Sequence, residues 1–152
     1  VSIYSGRPRT RSAGELVVAQ LSTDFVGSKP RRASVLLIDD EPVLLRGLKR
    51  SLSAHHVMTV TRVDEALALY RQHDFDIVFC DLMMPEANGI EFYARLRELG
   101  PEHAERLVLM TGGALPERLG YSLAEIPNVC LLKPFSCDQL EQLIERALER
   151  RR

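Results

Sequence analysis

The sequence has no tryptophan, three cysteines, 6% aromatic residues and no uninterrupted apolar run longer than five residues. Each shortage excludes something. A membrane-spanning helix needs roughly 18 or more apolar residues in succession, and no charged-then-apolar leader precedes a cleavage site. The chain therefore reads as cytoplasmic. Cys80, Cys130 and Cys137 are odd in number, and the first two sit inside apolar runs. That suits reduced core thiols better than a disulfide framework or a metal cluster. His55 and His56 are adjacent while His73 and His103 stand alone, so no pair has the helical spacing of a zinc site. Solvent-facing imidazoles are expected.

What remains is ordinary for one globular domain: 152 residues, 45% apolar and 27% charged. The net charge of −1 hides a split. Residues 1–34 carry six basic residues (Arg7, Arg9, Arg11, Lys29, Arg31, Arg32) against Glu15 and Asp24, while the remainder holds 14 basic against 19 acidic residues. A basic arm suits nucleic acid or anionic lipid, but its charges are loosely spaced and only Tyr4 and Phe25 accompany them. A solvated basic linker, largely irregular, is the expectation for 1–34. The apolar island ELVVAQL at 15–21 stays unassigned between helix and strand.

From Val35 the texture changes. VLLID (35–39), HVMTV (56–60), DIVFC (76–80), LVLM (107–110) and VCLL (129–132) are short aliphatic runs. Most lack alternation, as strands covered on both faces do. Between them lie helical periods. Val63, Ala66, Leu67 and Tyr70 follow i, i+3, i+4, i+7 behind a capping box expected from Thr61 to Asp64. Leu140, Leu143, Ile144, Ala147 and Leu148 do the same behind Ser136, with Gln139 at the capping position. Pro42–Ser53 and Gly89–Leu99 are expected helices. Leu115–Ile126 is a weaker one, because Gly120 costs about 1 kcal/mol relative to alanine inside a helix. Strands alternating with helices predict an α/β domain over 35–150 with a parallel sheet. Ligands in such sheets sit beyond the carboxyl ends of the strands.

Those ends carry Asp39 and Asp40, then Asp81, then Thr111, then Lys133 before Pro134. Taken singly, each has a plain explanation: Asp40 and Thr111 as helix caps, Lys133 as a surface lysine. Capping has no use for a lysine, however, and the residues recur at four strand ends. Crowded carboxylates must take up protons or bind a cation. Mg²⁺ suits an all-oxygen site and leaves positions open for phosphate oxygens. A strand-tip carboxylate can then act as nucleophile toward phosphorus, with a lysine and a hydroxyl neutralising the transferring oxygens.

Asp39-Asp40, DLMMPEANG from Asp81, TGG from Thr111 and KPF from Lys133 together resemble the receiver domain of two-component response regulators over about residues 35–150. The resemblance implies a flavodoxin-like three-layer sandwich with a five-stranded parallel sheet of order 2-1-3-4-5. It implies a phosphoacceptor at Asp81, and Mg²⁺ held by Asp40 and Asp81 directly, by Asp39 through water and by the main-chain carbonyl of Met83. Thr111 would bond the phosphoryl group and Lys133 would pair with it, with a cis peptide between Lys133 and Pro134. The implied partner is a sensor histidine kinase or a histidine phosphotransfer protein, with a weak homodimer as a further option. Neither nucleic acid nor membrane is expected to touch this domain.

Two positions depart from the family. Many receivers carry Tyr or Phe three residues before the lysine; Cys130 stands there, so that aromatic switch is absent. Transmission is instead expected through Gly112, Gly113 and the weak helix that follows. Met83 and Gly113 sit where receivers often place a polar side chain, which implies slow self-hydrolysis. Three other readings fit these residues less well. A Mg²⁺-dependent aspartyl phosphatase needs an acid where Met83 stands. A flavin or nucleotide carrier needs a Gly/Ser/Thr loop where DDEP stands. A degenerate receiver serving as an interaction module would not need the intact acids. The chain is expected to be a self-phosphorylating acceptor rather than a turnover enzyme, either free-standing or at the end of a hybrid kinase.

Overall fold

The structure is a computed structural model that describes residues 31–85, 88–113, 123 and 125–151. The expected helix over Leu115–Ile126 lies almost wholly outside the described residues, as does the island at 15–21.

Five strands form one parallel sheet: β1 (Ser34–Ile38), β2 (His56–Val60), β3 (Ile77–Asp81), β4 (Leu107–Thr111) and β5 (Cys130–Leu132). Their order is β2-β1-β3-β4-β5, as the resemblance implied. The missing alternation in the sequence has a direct cause, for each inner strand is buried on both faces. On one face Val35, Leu37, Ile77, Phe79, Val108, Met110 and Leu131 pack against α1 (Pro42–Ser51) and the C-terminal helix. On the other, Leu36, Ile38, Val78, Cys80, Leu107, Leu109 and Cys130 pack against α2 (Val63–Gln72) and α3 (Gly89–Leu99). The two edge strands each keep an exposed residue, His56 on β2 and Leu132 on β5, and β2 shows partial alternation in sequence. Fully burying one such aliphatic side chain contributes about 1.5–3 kcal/mol.

Two helices were not as expected. A short α4 (Pro101–Ala104) follows α3 across Gly100, whose φ of 150° favours glycine. Four residues leave no periodicity to read. Helix α2 has no Thr61–Asp64 capping box; its N-cap is Arg62, with no side-chain cap. Asp64 is drawn outward by the Arg62 guanidinium at 3.1 Å instead of closing the first turn. By contrast α5 (Cys137–Arg150) carries the expected box: Gln139 N donates to Ser136 Oγ at 3.2 Å, and Ser136 N donates to Gln139 Oε1 at 2.8 Å.

The cysteines are free, with Cys80 and Cys130 buried and Cys137 exposed. His55 corrects the expectation of solvated histidines. It is buried, its Nδ1 accepts from Ala33 N at 3.1 Å, and its Nε2 lies 2.7 Å from Glu141 Oε2. His103 also has a partner, its Nδ1 lying 3.0 Å from the Tyr70 hydroxyl.

Candidate functional site

The parallel register brings the carboxyl ends of β1, β3, β4 and β5 to one edge of the sheet. Asp39 follows β1 and is fully buried, Asp81 ends β3 at 5% exposure, and Thr111 ends β4 at 1%. Asp40 is exposed beside them. Carboxylate oxygens of Asp39, Asp40 and Asp81 all lie within 4.8 Å of one another.

The plain explanations fail one by one. Glu41, not Asp40, is the N-cap of α1, and Asp39 Oδ1 accepts the Glu41 N–H at 2.9 Å. Among the described residues Thr111 caps nothing, and its hydroxyl is buried without a hydrogen-bond partner. Lys133 is no surface lysine, because its Nζ lies 2.7 Å from Asp39 Oδ2 and 3.3 Å from Asp81 Oδ2 with its side chain 18% exposed. The Lys133–Pro134 peptide is cis, as expected. The Met83 main-chain N–H donates to Asp81 Oδ1 at 3.1 Å.

The charges do not balance. Burial pushes the Asp81 carboxyl above the usual aspartate range, outweighing the Met83 N–H and the Lys133 ammonium, and the Asp39 charge adds to the rise. Burial opposes the Lys133 ammonium too. Even so, its hydrogen bond to Asp39 and the charges of Asp39 and Asp81 hold its pKa above the ordinary lysine value. An isolated ion pair would lower its acid and raise its base. Here the acid is raised as well, because the burial of Asp81 outweighs its share of the one ammonium and the Asp39 charge adds to it. Three acids against one ammonium leave two negative charges unmet. A hard divalent cation fits this all-oxygen set. The orphan Thr111 hydroxyl fits an acceptor oxygen brought by a ligand, since an unpaired buried hydroxyl is costly.

Gly89, which the resemblance places in the turn that shapes the loop after Asp81, is also needed for close packing. A Cβ there would lie 2.8 Å from Leu109 Cδ2 and 3.1 Å from the carbonyl oxygen of Asp81. Glycine lets the first turn of α3, capped by Asn88, pass directly behind Asp81.

Comparison with known proteins agrees with this geometry. Residues 35–145 match the response regulator receiver domain. The chain is 33% identical over 122 residues to the hydrogenase transcriptional regulatory protein HoxA of Cupriavidus necator, covering 78% of this chain and 25% of that protein. It is 33% identical over 137 residues to the virulence sensor protein BvgS of Bordetella pertussis, covering 85% of this chain and 11% of BvgS. A receiver domain structure from Clostridium thermocellum superposes with a TM-score of 0.69 at 25% identity, over 78% of this chain and 96% of that one. This chain belongs to the response regulator receiver family. It carries a receiver domain of two-component signalling, and it spans only a fraction of the length of HoxA or BvgS.

Proposed function

We propose that residues 35–150 take a phosphoryl group from a phosphohistidine onto Asp81 with the help of Mg²⁺, and switch conformation in response. The observation that carries this is the unmet negative charge of Asp39, Asp40 and Asp81, packed within 4.8 Å around a nearly buried strand-tip carboxylate. The step breaks the P–N bond of a phosphoimidazole and forms a P–O bond to Asp81; the imidazole leaves as a neutral base after taking up a proton. Each residue has one task. Asp39, Asp40, Asp81 and the Met83 carbonyl would hold the cation, which when bound supplies positive charge to the transferring oxygens. Asp81 is the nucleophile, held by the end of β3 and by the Met83 N–H. Lys133 pairs with the added phosphoryl group, and Thr111 donates to it the proton that has no acceptor at present.

The donor chemistry names the partner class, a sensor histidine kinase or a histidine phosphotransfer protein. Asp81 accepts once per cycle, so the domain is a switch rather than an enzyme turning over a metabolite. We place it in the cytoplasm; among the described residues no helix is long and apolar enough to cross a membrane. The test is incubation with a labelled phosphohistidine donor. Label should pass to the wild-type protein with Mg²⁺ present, and not with chelator or to Asp81→Asn. Equal labelling of Asp81→Asn would overturn the assignment.

A further inference from the structure

Two runs of side-chain bonds connect α5 with the backbone at the start of β1. In the first, Ala33 N donates to His55 Nδ1 at 3.1 Å. A neutral ring that accepts at Nδ1 carries its proton on Nε2, and that nitrogen lies 2.7 Å from Glu141 Oε2 on α5. In the second, Ser34 N donates to Asp76 Oδ2 at 2.8 Å, and Arg151, the C-cap of α5, donates to Asp76 Oδ1 at 2.7 Å. Arg151 also bonds Asp74, which Arg106 braces at 2.8 Å. Ordinary surface pairs join side chain to side chain. Here each run ends on a main-chain amide, and the two amides belong to consecutive residues.

The start of α5 is tied to the site. Only Pro134, Phe135 and Ser136 separate Lys133 from the first residue of the helix. Leu140, Leu143, Ile144, Ala147 and Leu148 are packed in the core, so a change at the helix start shifts the helix as a body. We infer that α5 couples the Asp81 site to the incoming chain at Ala33–Ser34, with His55 and Asp76 as positioning residues of that coupling. The inference rests on the phosphoacceptor reading: a phosphoryl group on Asp81 recruits Lys133 away from Asp39, and the loop and helix behind Lys133 follow. The change emerges at the opposite end of the strands from Asp81. It reaches the point where the basic residues 1–32 join the domain, and it needs no aromatic at position 130.

The experiment uses the whole chain and reads the amide signals of Ala33 and Ser34 by NMR, with Mg²⁺ and with or without beryllofluoride. Bound fluorine signals and the Thr111 and Lys133 amides report occupancy of the site. In wild type the Ala33 and Ser34 amides should move when fluorine binds. Glu141→Ala and Arg151→Ala should each cut that response about twofold, and the double variant should abolish it, with the fluorine, Thr111 and Lys133 signals responding as in wild type. These side chains are 36% and 30% exposed, so truncating them spares the core. Static Ala33 and Ser34 amides in wild type with fluorine bound would overturn the coupling alone, as would a full response in the double variant. Absence of any bound fluorine signal in wild type would overturn the phosphoacceptor reading, and the coupling with it.

Discussion

The main-chain N–H of Lys133 donates to the carbonyl of Thr111 at 2.7 Å, so the ammonium and the hydroxyl of the site hang from one inter-strand bond between β5 and β4. That bond sets their spacing irrespective of what occupies the cleft. The two side chains nevertheless differ in kind. Among the described residues Lys133 has two carboxylate partners and Thr111 Oγ1 has none.

A buried hydroxyl without a partner contributes nothing to folding and carries its desolvation cost. Thr111→Val keeps the shape and removes that cost. It should stabilise the unphosphorylated protein by about 1 kcal/mol in urea unfolding, while the structural response to beryllofluoride is lost. A destabilised variant would mean that the hydroxyl already has a partner.

Burial raises the Asp81 pKa, and the sign of its effect on stability follows. An acid with a raised folded-state pKa contributes stability that is present below its unfolded value near 3.8 and lost as pH rises through the folded value. Above that folded value and without metal, ionised Asp81 therefore weakens the fold. Asp81→Asn should melt higher than wild type in chelator, with the gap closing as pH falls toward 4, about the unfolded value. Mg²⁺ should raise the melting temperature of wild type more than that of the variant. Equal melting temperatures across that pH range would show that the carboxylates are already neutralised.

How much of this was legible in the sequence depended on the range of the forces involved. Doubly covered strands print as apolar runs, and the Ser136–Gln139 box is local, so both could be read from the chain. The register that brings Asp39, Asp81, Thr111 and Lys133 together followed from placing them at strand ends. His55 could not be read, because its partners Ala33 and Glu141 lie 22 and 86 positions away. The capping box at Thr61 failed for a different reason: Arg62 competes for Asp64 from two residues away, a contact that a pattern match ignores. Asp76 looked like the first residue of a strand, and only the fold shows it holding both Ser34 and Arg151.

Gly89 sits too close to its neighbours to accept a side chain. In Gly89→Ala the new methyl meets Leu109 Cδ2 at 2.8 Å, the Asp81 carbonyl at 3.1 Å and Leu82 Cα at 3.3 Å. The side-chain end can turn aside, but the two backbone atoms belong to the acceptor loop. Overpacking of this kind costs about 1–3 kcal/mol. Chemical unfolding should show that loss, and labelling of Asp81 should slow because the carboxylate is displaced from the position that the Met83 N–H gives it. Retention of wild-type labelling would mean that the loop tolerates the shift.

The lifetime of the aspartyl phosphate depends on whether a side chain near it can orient water. Met83 is 44% exposed and offers only a thioether, while Gly113 offers no side chain and has nothing within 4 Å of where a Cβ would stand. Neither can hold a water in line with phosphorus. Loss of label from the phosphorylated protein, followed after removal of the donor, should be slow. Met83→Asn, which brings an amide able to orient water to the same exposed position, should speed it about tenfold, below the roughly 10²–10⁴-fold that a positioned general acid or base contributes. Introducing the amide changes water access and leaves the main-chain carbonyl, the cation ligand proposed at this position, in place. A wild-type lifetime of seconds, or a variant no faster than wild type, would move control of hydrolysis to residues other than Met83.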